Sequence, residues 1–377
     1  MLFVADRMLP AAHALLNPNE AMMIDDAILG FRPNPSVADH DEWGFRNDAV
    51  PERVELVALG DSLTYGAMVA AEDAWPQQLE RVLGITTYNM AFGGYGPAHE
   101  ALLVDEALQL RPRLVILAMY AGNDLFDSFN LVYHHEHLSA DRSSDPVLRR
   151  QIAILDREAS ITARVDGQSG SGGWSVGAWL RESSGVYALA RATRNVIRGS
   201  IWRFQDRGWN QAKALGDIPG NNAFESDGVH TIFTVPKRLA ALDLEDVRIR
   251  EGLRIALESI ARAATATKNG GARFAVLLLP TKENVFAREV RSAPGATIDG
   301  FEALVANEQS MWKSTRKFLD DRHIATIDAL PALQGSLAMR HQPYRADDDG
   351  HMNPIGNAVV AKLVQRKIEE LSLLRDD

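Results

Sequence analysis

The chain has 377 residues, with 40 Lys or Arg against 50 Asp or Glu, so its formal net charge is −10. This acidic balance leaves no domain-wide basic surface to bind nucleic acid. Hydrophobic residues at 46% and charged residues at 24% are ordinary globular values, which exclude wholesale disorder and collagen-like or coiled-coil architectures. The sequence contains no cysteine, which excludes disulfide scaffolds, thiolate zinc sites and cysteine nucleophiles.

The first 52 residues form a predicted N-terminal preamble packed on the core. Its start, residues 1–16, is apolar but interrupted by charged residues and lacks a basic region ahead of it, so it is a poor signal peptide and we expect an amphipathic helix. No stretch approaches the ~18 consecutive apolar residues that a membrane span needs. We therefore expect a cytoplasmic location by default, with export open if a longer natural N-terminus precedes this chain. The tripeptides at 30–32 and 44–46 indicate a short β-rich segment.

Three short apolar runs, each bounded by turn residues, predict buried strands at residues 54–59, 113–119 and 272–279. The runs are near-continuous rather than alternating, which is typical of parallel strands covered on both faces. Weaker strand candidates lie at 86–89 and 323–327. A mostly parallel sheet is the expected core.

Helical patterns alternate with these strands, at residues 75–83, 98–110, 239–267 and from 357 onward. In the last pattern the apolar residues recur at helical spacing, which marks a face packed on a sheet. This alternation predicts one α/β domain over residues 53–377, a three-layer α/β/α sandwich with a doubly wound, flavodoxin-like sheet. Active sites in such folds gather beyond the carboxyl ends of the strands.

An insertion at about residues 139–236 breaks the strand–helix rhythm. It contains a Gly/Ser-rich run at 166–173 and four tryptophans, Trp174, Trp179, Trp202 and Trp209. Insertions of this length between core strands are commonly lids or binding subdomains. A flexible decoration anchored by its tryptophans is the alternative, and both interpretations stay open.

Two polar loops follow the first two predicted strands. Ser62 comes directly after the strand at 54–59, where free backbone N–H groups of a following helical turn and the positive end of its dipole suit a nucleophile. Taken alone, Ser62 is better interpreted as a helix cap. The second loop, at 89–96, carries Gly94, whose lack of a side chain permits close approach of a substrate. Taken alone, this segment is better interpreted as an ordinary tight turn into the next helix.

Two further loops complete the set. Asn123 follows the strand at 113–119, and its side-chain amide is a neutral donor suited to an oxyanion, with an Asx-turn or helix cap as the alternative. Asp348 and His351 lie just before the C-terminal helix. A carboxylate there can hold one imidazole nitrogen while the other deprotonates a serine hydroxyl. Viewed alone, this segment is a polar loop.

The order Ser, Gly, Asn and His in these four loops resembles the SGNH hydrolases, also called GDSL-like lipases and esterases. The resemblance covers roughly residues 53–130 and 270–370. It implies that Ser62 is the nucleophile, that His351 is its general base and acid, and that Asp348 orients His351. It also implies an oxyanion hole made by the N–H groups of Ser62 and Gly94 and the side chain of Asn123.

Several neighbouring residues receive simpler interpretations. Within the acidic run 347–349, the family's Asp-x-x-His spacing favours Asp348, although a neighbour can substitute for it. Asp61 is expected to be a structural hydrogen-bonding residue. Lys282 is expected to be a solvated loop lysine, with contact to an anionic substrate group as the alternative. The histidines at 134–137 lack a further suggested ligand, so no metal site is expected there. The sequence gives no signal of a cofactor, and none is expected.

The resulting functional hypothesis is a serine ester hydrolase that cleaves acetyl or short-chain acyl esters, or lipids, through a Ser62 acyl-enzyme. An O-acyltransferase that delivers the acyl group to a carbohydrate hydroxyl uses the same residues and stays open, as does a non-catalytic binding protein on the same fold. The expected partner is a small-molecule or carbohydrate ester. The sequence gives no indication of the oligomeric state. Dinucleotide-binding, P-loop and Gly-x-Ser-x-Gly hydrolase motifs are absent.

Overall fold

The computed structural model describes residues 22–166 and 209–374. The predicted amphipathic helix at 1–16, most of the Gly/Ser-rich run, and Trp174, Trp179 and Trp202 lie outside the described residues. Within the described ranges, no helix combines the length and the apolar character needed to cross a bilayer.

The described strands belong to one large sheet and two hairpins. In chain order they are β1 (Met23–Asp26), β2 (Gly30–Pro33), β3 (Leu56–Gly60), β4 (Thr87–Ala91), β5 (Leu114–Tyr120), β6 (Asn222–Ser226), β7 (Val229–Phe233), β8 (Arg273–Leu279) and β9 (Ala325–Asp328).

The described helices alternate with the sheet strands. They are α1 (Ser62–Tyr65), α2 (Trp75–Leu83), α3 (Pro97–Gln109), α4 (Asp124–His134), α5 (Pro146–Asp166), α6 (Trp209–Ala212), α7 (Val235–Ala241), α8 (Val247–Asn269), α9 (Lys282–Ser292), α10 (Phe301–Asp320), α11 (Leu330–Ala338) and α12 (Pro354–Glu370).

The large sheet has five parallel strands in the order β4-β3-β5-β8-β9. Numbered along the chain this is 2-1-3-4-5, the doubly wound, flavodoxin-like order. Both β3 and β5 are buried along their whole length, which explains their near-continuous apolar sequences. The strand order reverses at β3, so a crevice opens between the carboxyl ends of β3 and β5.

Two helical layers cover the sheet. Helix α8 packs against α3 and α4 to form one layer, and α12 packs against α2 and α11 in the other. The predicted α/β/α sandwich is therefore confirmed. The predicted helical run at 239–267 is instead two helices, because α7 ends at Ala241 and the Asp246 carboxylate caps α8 by accepting the Arg248 N–H.

Both hairpins lie outside the large sheet and contact the turns and helices around it through aromatic rings. The ring centroid of Phe31, on the N-terminal hairpin β1–β2, lies 5.4 Å from that of Tyr95. The tripeptide at 30–32 lies in a strand as predicted, whereas residues 44–46 are not in a strand. Phe233 of the hairpin β6–β7 lies 5.7 Å from Phe286 and 5.2 Å from Phe301. The described end of the insertion is thus anchored on the core beside the carboxyl edge of β8.

Candidate active site

Ser62 lies at the carboxyl end of β3, on the first turn of α1. The carboxylate of Asp61 accepts a hydrogen bond from the Leu63 N–H at 2.8 Å and so caps this helix. Asp61 is therefore the structural residue that the sequence predicts, and the interpretation of Ser62 as the cap is wrong. Ser62 itself is half-buried, with its hydroxyl directed at the loop before α12.

A hydrogen-bonded chain links Ser62, His351 and Asp349. The Oγ of Ser62 lies 2.8 Å from Nε2 of His351, and Nδ1 of the same ring lies 2.6 Å from Oδ1 of Asp349. An ionised carboxylate can only accept, so Nδ1 carries the proton and Nε2 is left as an acceptor for the serine hydroxyl. The arrangement is that of a nucleophile, a base and a carboxylate that orients the base.

Asp348 is not the partner of His351, which corrects the prediction from the Asp-x-x-His spacing. Its Oδ2 instead accepts a hydrogen bond from the Asn221 side chain at 3.3 Å. The physical reason lies in a tight Asx turn at Asp349. The same Oδ1 of Asp349 accepts the backbone N–H of His351 at 2.8 Å and its imidazole N–H at 2.6 Å, so the turn holds this carboxylate against the ring.

The charges of this pair stabilise one another. Burial alone raises the pKa of Asp349, but the charge and the hydrogen bonds of His351 outweigh it and hold that pKa well below the usual range. Burial alone lowers the pKa of His351, yet the Asp349 carboxylate raises it above its ordinary value. Asp349 is therefore ionised, and His351 is a stronger base than a free histidine.

Lys282 holds the backbone of the loop that carries Asp349. It is buried at 1% exposure, and its Nζ donates to the carbonyl oxygens of Asp347 and Asp349, both at 2.9 Å. Burial lowers the pKa of its amine, while the neighbouring carboxylates oppose that shift. The prediction of a solvated loop lysine is wrong, because the loop that carries Asp347 and Asp349 folds over Lys282 at the carboxyl end of β8.

The turn after β4 lies against Ser62. A Cβ atom on Gly93 would lie 3.6 Å from the Cβ of Ser62, and Gly94 has a φ of +85°, which residues with a side chain rarely adopt. No described acceptor takes a hydrogen bond from the N–H of Gly94 or from that of Ser62. Both groups are therefore available as donors at the carboxyl edge of the sheet.

Asn123 follows β5 and is held by Asp127, one turn along α4. Its Nδ2 donates to Oδ2 of Asp127 at 2.5 Å, and its side chain makes no capping bond to the helix. Burial raises the pKa of Asp127 to about 8, although the bond from Asn123 opposes this rise. Sequence reasoning missed Asp127, and the i, i+4 spacing from Asn123 is the signal that indicates it.

Buried acids lie beneath the same loops. Glu100 and Asp124 are fully buried, and both oxygens of Glu100 and Oδ1 of Asp124 have no partner among the described residues. Burial, followed by repulsion from the Asp61 carboxylate, raises the pKa of both carboxyls well above the usual range, and Glu100 adds to the rise at Asp124. The other oxygen of Asp124 accepts the Tyr120 N–H at 2.7 Å and fixes the turn that presents Asn123.

The histidines at 134–137 serve other contacts. Nε2 of His137 lies 2.9 Å from the carbonyl oxygen of Ile28, and the rings of His135 and His137 meet edge to face at 5.8 Å. Over residues 22–166 and 209–374, no three His, Cys, Asp or Glu side chains are grouped so as to hold a metal ion.

Solved structures similar to this chain include GDSL-type proteins. One from Desulfitobacterium hafniense, described as a lipolytic protein of the G-D-S-L family, has 10% identity and a TM-score of 0.39, covering 84% of this chain and 99% of its own. A GDSL-like lipase from Bacteroides thetaiotaomicron has 10% identity and a TM-score of 0.38, covering 85% and 93%. An acetyl xylan esterase has 13% identity and a TM-score of 0.36, covering 83% and 99%. No protein-family model and no curated protein matches the chain.

Proposed function

We propose that this chain is a serine ester hydrolase of the SGNH type, which forms an acyl-enzyme on Ser62. The single observation that carries the proposal is the chain of hydrogen bonds from Ser62 through His351 to Asp349, at 2.8 and 2.6 Å. These side chains come from the two ends of the domain, 289 residues apart, so the arrangement does not follow from local geometry. It supplies the parts that nucleophilic acyl transfer requires.

The reaction begins when Oγ of Ser62 attacks the carbonyl carbon of the ester while Nε2 of His351 takes the hydroxyl proton. The tetrahedral intermediate then breaks its bond to the alcohol oxygen, which leaves with the proton from His351. Water repeats the sequence on the acyl-enzyme and releases the carboxylic acid. Asp349 stays ionised throughout and stabilises the imidazolium that forms in each half-reaction.

The oxyanion of both intermediates is proposed to bind the N–H groups of Ser62 and Gly94 and the side-chain amide of Asn123. Asp127 accepts a hydrogen bond from one N–H of this amide, which leaves the other N–H to donate to the substrate oxygen. Donors fixed in place before the reaction stabilise a developing charge without reorganisation. In this proposal Asp127 and Lys282 are positioning residues.

The proposal is tested by the hydrolysis of 4-nitrophenyl acetate, butyrate and octanoate, with wild-type protein and Ser62→Ala side by side. We expect activity that the variant lacks, and the chain-length profile measures the acyl site. Wild-type rates equal to those of Ser62→Ala on every ester contradict the proposed hydrolase.

The first prediction concerns the oxyanion donor. We expect Asn123→Ala to lower kcat by about 100- to 1,000-fold with a smaller change in KM, because the lost bond acts mainly on the transition state. Steady-state kinetics on 4-nitrophenyl acetate measure this. Asn221→Ala is the matched control, since Asn221 bonds to Asp348 and not to the proposed reaction centre. An unchanged kcat in Asn123→Ala removes the role of Asn123.

The second prediction concerns the buried lysine. We expect Lys282→Met to lower kcat by about 10- to 100-fold at nearly constant KM, because the Asp349 loop loses two bonds and small displacements of aligned groups are costly. Lys362→Met, at an exposed position on α12, is the control. The NMR resonance of the Nδ1 proton of His351 should shift or broaden in Lys282→Met. A folded variant with wild-type kcat and an unchanged resonance contradicts the positioning role.

A further inference from the structure

Arg238, on the helix α7 at the end of the insertion, lies between the loops that carry Asn123 and His351. Its Nη1 donates to the carbonyl oxygen of Gly122 at 3.0 Å. On the other side, a Cβ atom on Gly350 would lie 2.4 Å from Nη2, so the guanidinium touches the residue before His351. The guanidinium thus contacts the residue that precedes Asn123, the proposed oxyanion donor, and the residue that precedes His351, the proposed base.

The guanidinium of Arg238 has hydrogen-bonding capacity that the described residues leave unused. Nη2 and Nε make no hydrogen bond there, and no described carboxylate lies within 4.0 Å of Arg238. Burial lowers the pKa of Arg238, and Tyr120 and the carboxylates of Glu283, Asp349 and Asp61 raise it through space, without a hydrogen bond to it. Arg345, on the same side of the sheet, is by contrast paired with Asp347 at 2.9 Å. A partly buried guanidinium is costly when its N–H groups lack a hydrogen-bonded anion, so the unused donors of Arg238 point to an anionic ligand.

A second unsatisfied polar group lies at the same place. Arg238 stacks over the ring of Tyr120 at 5.5 Å, and the buried hydroxyl of Tyr120 has no partner among the described residues. This hydroxyl lies 3.6 Å from the position of a Cβ on Gly350. A carboxylate offers two acceptor oxygens in one plane, which match the fork of a guanidinium.

We propose that Arg238 binds a carboxylate of the substrate, so that the preferred esters carry this anion close to the ester bond. The inference rests on the proposed function and adds a substrate class to it. Because Arg238 belongs to α7, a helix that follows the insertion would recognise the anion, while the loops at the carboxyl edge of the sheet supply the chemistry.

The kinetic test compares an anionic ester with a neutral one of the same shape, 4-acetoxybenzoate and 4-acetoxybenzamide. In Arg238→Met we expect the ratio of their kcat/KM values, anionic over neutral, to fall about 10- to 100-fold, the range for a hydrogen bond to a charged group. Arg238→Lys should retain part of the preference. A second pair, the 4-nitrophenyl monoester of adipic acid and 4-nitrophenyl hexanoate, places the carboxylate on the acyl side instead.

Arg250→Met is the matched control, because Arg250 is exposed and likewise holds one backbone carbonyl, that of Leu244 at 3.0 Å. It should leave both ratios unchanged. A fall of the ratio in either pair with Arg238→Met supports the proposal. Equal losses on anionic and neutral esters in both pairs, or unchanged ratios in both, overturn it and leave Arg238 as a residue that only positions the loops.

A binding measurement separates this proposal from the proposed hydrolysis. Calorimetry with the Ser62→Ala protein needs no turnover, and we expect it to bind 4-acetoxybenzoate at least about 10-fold more tightly than 4-acetoxybenzamide. The preference should vanish when Arg238→Met is added. The adipate monoester and 4-nitrophenyl hexanoate are compared in the same way, and equal affinities in Ser62→Ala within both pairs overturn the anion site. A wild-type protein that hydrolyses no ester contradicts the proposed function, and the binding preference still decides the role of Arg238.

Discussion

Asp349→Asn is expected to lower kcat by about 10⁴-fold, whereas Asp348→Asn should leave kcat within a few-fold of wild type. The physical reason is the tautomer of His351. Oδ1 of Asp349 accepts the Nδ1 proton at 2.6 Å, and this leaves Nε2 free to accept the proton of Ser62. An asparagine can present its amide N–H to Nδ1 instead, which moves the ring proton to Nε2 and removes the base.

These two variants form a matched pair, since the same replacement of a carboxylate oxygen by an NH2 group is made at two adjacent aspartates. Steady-state kinetics on 4-nitrophenyl acetate give the ratio, and thermal unfolding checks that both proteins are folded. The opposite result, a large loss in Asp348→Asn and a small one in Asp349→Asn, contradicts the assignment of Asp349 and restores the partner that the Asp-x-x-His spacing favours.

Ser62→Ala is expected to lower kcat on the order of 10⁴- to 10⁶-fold while the fold and substrate binding persist. No acyl-enzyme can form without the hydroxyl, and the remaining rate comes from donors that still stabilise attack by water. The loss should not add to that of His351→Ala, because both residues act in one proton transfer. Hydrolysis by Ser62→Ala, His351→Ala and the double variant, with the same ester, measures this.

A double variant that is slower than wild type by the product of the two single losses contradicts the shared step. It would mean that Ser62 and His351 contribute independently, for example by binding substrate. Because Ser62 is half-buried at the start of α1 and Asp61 caps that helix, the alanine is not expected to change stability much.

Most of the core could be predicted from the sequence, because burial on both faces imposes a strong pattern. The runs at 54–59, 113–119 and 272–279 correspond to β3, β5 and β8, and even the weaker candidates correspond to β4 and β9. The helical run at 239–267 was harder, since its apolar stripe continues through the break that Asp246 creates. A single capping residue such as Asp246 is harder to detect in a sequence than an apolar pattern that repeats over many helical turns.

The site could be predicted only as far as its backbone positions. Ser62, Gly94, Asn123 and His351 follow strands or precede a helix, so their placement at one edge comes from the fold. Which of three consecutive aspartates meets His351 depends instead on the direction of each side chain in a tight turn, which spacing does not encode. Family spacing therefore selected the neighbour of the residue that makes the contact.

Supporting residues from distant segments were the least predictable. Lys282 is 65 residues from Asp347 along the chain, and Arg238 is 116 residues from Gly122. Each is a polar residue in an unremarkable sequence, and only the folded chain brings it beside the site. Hydrophobic periodicity, turn residues and capping residues report local structure, so a single sequence does not reveal contacts between residues this far apart.

The central claim is that His351 activates Ser62 as a nucleophile, and labelling with a fluorophosphonate tests it most directly. We predict one phosphonyl group per protein on the peptide that contains Ser62, found by mass spectrometry, with none on Ser62→Ala and much slower labelling of His351→Ala. An esterase that stays unlabelled at Ser62, or that is labelled at another serine with loss of activity, would contradict the claim.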